Sequence, residues 1–125
     1  MIIGLGNDLQ SIDAIQRLVD SKPSFVERIL TPKEQEQLAH RHGIHRIQYI
    51  AGRFSAKEAY AKATGYGIGE HAHWQEIEIL NDEEGRPRLS VTGDSVIAGA
   101  NNYLVALSHS NGFVLANVTV ENTNA

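Results

Sequence analysis

Apolar residues open the chain and lead directly into glycines. The run from Met1 to Leu5 continues into Gly4-Leu5-Gly6-Asn7-Asp8, which predicts a short buried strand ending in a tight turn that presents Asp8. A carboxylate in such a place often forms the turn or caps the next helix. This segment alone therefore leaves both a structural and a catalytic role open for Asp8.

Helical spacing of apolar residues predicts three helices after this strand. The apolar residues from Ile12 to Val19 predict a helix over about residues 11–20, and those from Phe25 to Leu30 predict a second, short one. Thr31-Pro32-Lys33-Glu34 combines a capping threonine, a proline suited to the first helical position and a glutamate that closes a capping box. A third helix should therefore start there and run to about His40.

The longest predicted helix begins near Arg46, after a break at Gly43, and ends where Gly65 supplies a left-handed C-cap. Glu58 and Lys62 are four residues apart, so they share one face of this helix. They form either an ordinary exposed ion pair or part of a functional site. The alternating glycines that follow match neither a Walker loop nor a Rossmann fingerprint, because no Gly-Lys-Ser/Thr sequence is present and they come after a helix.

From Trp74 onward the hydrophobic pattern changes to period two. This alternation predicts a strand, and the turn at residues 81–87 returns the chain as its antiparallel partner. Residues 93–102 predict a short helix. Asn111-Gly112 lies between two long apolar segments and predicts a second hairpin. Ser108-His109 should then lie at the end of a strand, where they form a turn or contact an anion.

The composition indicates a single domain over residues 1–125. Of these residues 42% are hydrophobic, which is enough for one modest core. We expect neither a membrane span nor a signal peptide, since no segment has the necessary apolar length. The absence of cysteine fits a reducing compartment, so a cytoplasmic location is the default expectation. The net charge of -4 argues against nucleic-acid binding.

Candidate chemistry is divided among three separate segments. Asp8 follows the first strand, Glu58 and Lys62 lie on the long helix, and Ser108-His109 precede the last turn. Two carboxylates suit Mg²⁺, which usually binds one or two carboxylates together with substrate phosphates and waters. A lysine and a histidine would complement the remaining phosphate charge. We expect the other histidines to be exposed surface residues rather than metal ligands; they are His40, His42, His45, His71 and His73.

At these same residues the chain resembles the holo-acyl-carrier-protein synthases, which are bacterial phosphopantetheinyl transferases. The resemblance extends over nearly the whole chain. Its most specific part is the block from Arg53-Phe54-Ser55-Ala56-Lys57-Glu58-Ala59 through Lys62-Ala63 to Gly65-Tyr66-Gly67, together with Gly4-Leu5-Gly6-Asn7-Asp8 upstream. The segments Arg28-Ile29-Leu30-Thr31, Asn81-Asp82, Gly85-Arg86-Pro87 and Leu107-Ser108-His109 add to it.

The resemblance implies a small α+β domain, with helices packed on a mainly antiparallel sheet, and a homotrimer with active sites at subunit interfaces. It implies transfer of 4′-phosphopantetheine from coenzyme A to a serine of apo-acyl carrier protein, in fatty acid biosynthesis, with release of adenosine 3′,5′-bisphosphate. Asp8 and Glu58 match the Mg²⁺ ligands, and Lys62 matches the lysine at the pyrophosphate. The remaining coenzyme A contacts implied are Arg53, Gly65, Gly85, Pro87 and His109.

The chain departs from the family pattern beside the predicted carrier-protein surface. Asn7, Ser11 and Ala14 replace residue types common in the family, and the nearby cations that remain are Arg17, Lys22 and Arg28. Two other functions stay open at this point. One is a Mg²⁺-dependent nucleotide phosphohydrolase, although a two-metal hydrolase needs further acidic ligands. The other is a non-enzymatic, oligomeric binding module.

Overall fold

The computed structural model describes residues 1–124, and Ala125, the last residue of the predicted domain, lies outside the described residues. Within residues 1–124 one strand is followed by four helices and then by four strands, a segregated order typical of an α+β protein. Their bounds are β1 Ile2–Ser11, α1 Ile12–Ser21, α2 Phe25–Ile29, α3 Pro32–Leu38, α4 Ile44–Thr64, β2 Ile77–Asn81, β3 Pro87–Val91, β4 Asn102–Ser110 and β5 Phe113–Glu121.

One antiparallel sheet carries the fold, in the strand order β1-β5-β4, while β2 and β3 form a separate hairpin. The long helix α4 packs across one face of the sheet and contacts β1 and β5 most extensively. Residues of β5 alternate between this covered face and an open face, so Val114, Ala116, Val118 and Val120 are buried. The predicted architecture of helices on a mainly antiparallel sheet is confirmed.

Local sequence signals set most helix ends. Thr31 Oγ1 accepts a hydrogen bond from the Glu34 amide at 3.2 Å, and Glu34 Oε1 accepts one from the Thr31 amide at 2.8 Å, which completes the predicted capping box. Gly65 ends α4 in the left-handed region, with φ of 86°, as predicted. Ser11 caps α1 by accepting a bond from the Ala14 amide at 3.2 Å.

The structure corrects the prediction at the start of the chain. β1 does not end in a tight turn but continues as an extended strand through Gly6 and Asp8 to Ser11. The glycines meet α4 closely instead of turning the chain: a Cβ atom added to Gly6 would lie 1.9 Å from the carbonyl oxygen of Ala59. Asp8 is therefore a strand residue on the face that packs against α4.

Three other boundaries differ from the prediction. α3 ends at Leu38 rather than His40. Trp74–Glu76 form a short 3₁₀ turn, so β2 begins only at Ile77. Residues 93–102 contain a 3₁₀ turn at Gly93–Ser95 and no α-helix, because Gly93 and Gly99 adopt positive φ values of 63° and 83° that interrupt a helix. The hairpin at Asn111-Gly112 is confirmed, and both turn residues adopt positive φ values, 52° for Asn111 and 81° for Gly112.

A buried ion pair joins α4 to α3. The Lys57 ammonium donates to Glu34 Oε1 at 2.6 Å, to the Ile29 carbonyl at 2.6 Å and to the Trp74 carbonyl at 2.9 Å. Both charged side chains have no exposed surface. Burial lowers the pKa of the Lys57 ammonium, and Glu34 opposes that effect. Lys57, which the sequence analysis gave no role, therefore connects α4 to three neighbouring segments.

Side chains also occupy the free edge of β2. Glu34 Oε2 accepts a hydrogen bond from the Ile79 amide at 2.8 Å, and Arg53 Nε donates to the Ile79 carbonyl at 3.0 Å. Gln37 accepts from the Asn81 amide at 3.1 Å and donates to the Asn81 carbonyl at 2.9 Å. These bonds hold the β2–β3 hairpin against α3 and α4. Within residues 1–124, no helix is long and apolar enough to cross a membrane.

Candidate active site

Asp8 lies on β1 where this strand passes α4, and only 6% of its surface is exposed. Its carboxylate accepts two hydrogen bonds, from Lys62 Nζ at 3.1 Å and from Gln10 Nε2 at 2.7 Å. Its backbone carbonyl accepts a third, from Ser55 Oγ at 2.9 Å. The predicted residues Asp8 and Lys62 are thus in direct contact, although 54 residues separate them in the chain.

Glu58 lies one helical turn before Lys62 and completes this group. Burial raises the pKa of the Glu58 carboxyl, the negative charge of Asp8 raises it further, and Lys62 lowers it. The charges of Asp8 and Lys62 therefore both act on the Glu58 carboxyl. The Lys62 side chain remains 54% exposed, so its ammonium is open to a ligand from solvent. We call Asp8, Glu58 and Lys62 the acidic cluster.

The acidic cluster has the donor chemistry that Mg²⁺ requires. Asp8 and Glu58 offer carboxylate oxygens, and Mg²⁺ commonly binds one or two carboxylates while substrate phosphates and waters supply the other ligands. Within residues 1–124 no group of three or more His, Cys, Asp or Glu side chains could hold a metal ion. The cluster therefore fits a cation that is held jointly with a phosphate ligand better than a closed protein site.

A cavity rich in cationic side chains lies between α4, the β2–β3 hairpin and β4. It encloses about 630 Å³. Four of the predicted coenzyme A contacts line it, namely Arg53, Gly85, Pro87 and His109. Four further basic residues line it that the sequence analysis did not select: Arg41, His45, Arg86 and Arg88. We call it the basic cavity.

Arg53 is largely occupied by contacts within the protein. Besides its bond to β2, it donates from Nη2 to Asn81 Oδ1 at 2.9 Å and lies 3.8 Å from the centre of the Tyr49 ring. Arg41 lies 4.8 Å from the centre of the same ring. Burial lowers the pKa of the Arg53 guanidinium, and only 3% of its surface is exposed. Arg53 therefore shapes the wall of the basic cavity.

The acidic cluster and the basic cavity lie at opposite edges of the sheet. Asp8 pairs with Ala116, and His109 pairs with Val114, so both residues belong to the face of the sheet covered by α4. β5 separates their two strands, and two strand spacings amount to about 10 Å. Gly65 lines neither group and lies in the loop after Lys62.

The remaining histidines behave largely as expected. All five of those expected at the surface are exposed. His45 differs from the others because it lines the basic cavity, one turn before Tyr49 on α4. The spacing of His45, Tyr49 and Arg53 along α4, at intervals of four, is the signal that could have identified part of this wall from the sequence. Arg41 lies before the start of α4 and reaches the same Tyr49 ring.

The sequence profile of the 4′-phosphopantetheinyl transferase superfamily matches residues 4–116, which contain both the acidic cluster and the basic cavity. The chain belongs to this superfamily. The recognition made from the sequence is thereby confirmed. Within the superfamily, the chain is 47% identical over 121 residues to a holo-[acyl-carrier-protein] synthase of Leuconostoc citreum, covering 97% of this chain and 86% of that protein.

Two further superfamily members support the same comparison. A holo-[acyl-carrier-protein] synthase of Oenococcus oeni is 49% identical over 105 residues, covering 84% of this chain and 80% of that protein. The crystal structure of a holo-(acyl-carrier-protein) synthase from Bacillus anthracis, in complex with CoA (3′,5′-ADP), has 36% identity and a TM-score of 0.87. The match covers 98% of this chain and 99% of the Bacillus anthracis chain, so the two proteins share one fold.

Proposed function

We propose that this protein is a holo-acyl-carrier-protein synthase that transfers 4′-phosphopantetheine from coenzyme A to a serine of apo-acyl carrier protein. Adenosine 3′,5′-bisphosphate is the other product. The observation that carries the proposal is that α4 contributes residues both to an acidic cluster suited to a cation-bound pyrophosphate and to a basic cavity suited to a phosphorylated nucleoside. The relatives of nearly full length, one of them in complex with CoA, support the same activity.

In this proposal Asp8 and Glu58 would hold Mg²⁺. The bound cation would supply positive charge that offsets the charge of the coenzyme A pyrophosphate. Lys62 contributes a second positive charge at the same place, and its exposure leaves it free to follow the leaving group. Arg53 and His109 are proposed to lie near the coenzyme A phosphates. Gly65 is proposed to lie in the loop that approaches the nucleotide, and Gly85 and Pro87 near its adenine end.

The serine hydroxyl of the carrier must lose a proton as it attacks the β-phosphoryl group. Glu58 is better placed than Asp8 to accept it, because both oxygens of Asp8 already accept hydrogen bonds, from Lys62 and Gln10. The bond that forms joins the serine oxygen to phosphorus, and the bond that breaks releases the bisphosphate.

We propose a homotrimer with active sites between subunits. Five large apolar side chains on the open face of the sheet are 38% to 68% exposed, which favours burial against another copy. They are Leu5, Leu9, Leu104, Phe113 and Leu115. A cyclic assembly would bring the β1 edge of one subunit to the β4 edge of the next, and the acidic cluster would then meet a neighbouring basic cavity.

The remaining expectations complete the proposal. We propose a single domain over residues 1–125, a cytoplasmic location and a place in fatty acid biosynthesis. The carrier is an acidic protein, so exposed cations near Asp8 should bind it; Arg17, Lys22 and Arg28 are all exposed. We propose neither nucleic acid nor a membrane as a partner, in keeping with the net charge of -4.

One incubation separates the candidate functions. The protein is mixed with coenzyme A, Mg²⁺ and an apo-acyl carrier protein, and the carrier is then weighed by mass spectrometry. A mass gain equal to one phosphopantetheine supports transfer. Release of bisphosphate without a change in the carrier would support the hydrolase, and no turnover would support a binding module.

A further inference from the structure

We infer that Gly6 and Ser55 are positioning residues that set the separation of Asp8 from Glu58 and Lys62. The inference rests on the proposed function for its catalytic consequence, but its structural basis is independent. It concerns the contact between β1 and α4, which carries the three residues of the acidic cluster on two separate elements.

Small residues of β1 contact small residues of α4 at regular intervals. Gly4, Gly6 and Asp8 share one face of β1. A Cβ atom added to Gly6 would lie 1.9 Å from the Ala59 carbonyl oxygen and 2.9 Å from the Ala63 nitrogen. A Cβ atom added to Gly4 would lie 3.2 Å from the Ala63 carbonyl oxygen. β1 thus touches the backbone of α4 itself, and Gly6 is the point of closest approach.

Strand and helix geometry keep this match in register. Two strand residues advance about 6.7 Å and four helical residues about 6 Å, so alternate residues of β1 meet every fourth residue of α4. The matched pairs are Gly4 with Ala63, Gly6 with Ala59, and Asp8 with Ser55. Gly6 therefore sets how closely the elements approach, and Ser55 sets how far one is displaced along the other.

Ser55 makes the single polar contact in this series. Its hydroxyl donates to the Asp8 carbonyl at 2.9 Å, and the side chain is fully buried. Neither the hydroxyl of Ser55 nor the missing side chain of Gly6 touches the reacting atoms. Both residues act through the Asp8 carboxylate, which meets Lys62 at 3.1 Å only if β1 lies directly on α4.

Gly6→Ala tests the inference. The new Cβ collides with a backbone oxygen, so β1 must move away from α4. Displacements of about 1 Å at reacting groups can cost on the order of 100-fold in rate. We expect a loss of kcat of about that size with the carrier KM unchanged, and weaker binding of Mn²⁺ to the enzyme saturated with coenzyme A, measured by electron paramagnetic resonance. Gly4→Ala should have smaller effects of the same kind.

Two further variants distinguish positioning from general destabilisation. Ile77→Val removes one methyl group from the buried core in β2 and should lower stability without changing kcat or Mn²⁺ binding. Gly6→Ala combined with Ala59→Gly should not recover, because the collision involves the Ala59 carbonyl and not its side chain. Recovery in this double variant would overturn the inference.

If Gly6→Ala fails to fold, the Ser55→Ala variant tests the inference instead. It removes one hydrogen bond to Asp8 and should weaken Mn²⁺ binding about threefold to tenfold, the change that corresponds to one hydrogen bond. Unchanged Mn²⁺ binding in Ser55→Ala, or in a folded Gly6→Ala, would overturn the inference. Cation binding can be measured without turnover. The inference can therefore still be tested if the wild-type protein fails to modify the carrier and the proposed function is wrong.

Discussion

The Lys62 ammonium lies 3.1 Å from Asp8 Oδ1 and thus pairs with a residue of β1. The simplest alternative from the sequence was a surface pair with Glu58, four residues earlier on the same helix. In the structure, Lys62 instead links α4 to the edge strand of the sheet. A cation bound to Asp8 would have to share or displace this contact, so Lys62 and the proposed metal would be neighbours at one carboxylate.

Asp8→Ala and Glu58→Ala should each nearly abolish transfer while the fold stays intact. Each removes an oxygen ligand from a hard cation that tolerates poor geometry badly. Turnover is measured as a function of Mg²⁺ concentration, with circular dichroism to check the fold. Near wild-type turnover at limiting Mg²⁺ in either variant would contradict the proposed metal site.

Lys62→Ala should lower kcat more than it weakens coenzyme A binding, because the lysine is proposed to stabilise charge that develops in the transition state. The Mg²⁺ concentration for half-maximal activity should not rise, since the variant frees the Asp8 carboxylate from a competing ammonium. Steady-state kinetics and calorimetric titration with coenzyme A give both quantities. A rise in KM alone would make Lys62 a binding residue.

Glu58→Gln should stabilise the metal-free protein at neutral pH while abolishing transfer. The pKa of Glu58 is raised in the folded state, so its ionised form is disfavoured there, and stability present at low pH is lost as the pH rises through that raised pKa. Glutamine resembles the protonated form and avoids this loss. The Tm difference between the two proteins should disappear below about pH 4, the ordinary range of a glutamate. A lower Tm for the variant at pH 7 would contradict this account.

Lys57→Met should destabilise the fold by about 3–5 kcal/mol, because it leaves the Glu34 carboxylate buried without its cation. Urea unfolding measures the loss. Combining it with Glu34→Gln should cost less than the sum of the single changes, since the pair then carries no buried charge. Additive losses would show that the two side chains contribute independently.

Arg17→Glu and Arg28→Glu should raise the KM for the carrier and flatten its dependence on salt, while the KM for coenzyme A changes little. Both side chains are exposed, on α1 and α2, and opposite charges steer association of an acidic partner. Because Ala14 supplies no cation, the wild-type salt dependence should already be modest. Lys33→Glu makes the same change in net charge on α3 and serves as the control. Equal effects on both substrates would contradict electrostatic docking of the carrier at this surface.

Elements with strong local signals were predictable from the sequence. The capping box at Thr31, the C-cap at Gly65 and the turn at Asn111-Gly112 each need only a few neighbouring residues, and all three are confirmed. The site residues came mainly from the family resemblance. In the structure Asp8 contacts Lys62, and Arg53 and His109 line the same cavity. These two groups lie at opposite edges of the sheet.

The remaining features depend on contacts between distant segments. Gly4 and Gly6 indicate a turn when read locally, and only the presence of Ala59 explains why an extended strand needs them. Lys57 is a helix-forming cation like many surface lysines, and its burial depends on Glu34 lying opposite. The wall of the basic cavity was missed because Arg41 and His45 lie in a segment whose histidines indicated solvent exposure.

The side chains bound along β2 also protect the protein from misassembly. An edge strand with free amides and carbonyls is a template on which other chains can add strands and aggregate. Here Glu34 and Arg53 form hydrogen bonds with the backbone amide and carbonyl of Ile79, and Gln37 forms hydrogen bonds with both of these groups in Asn81. Side chains of α3 and α4 therefore occupy the positions that another strand would take on β2. The β2–β3 hairpin can then line the proposed ligand cavity without pairing with a β-strand of another chain.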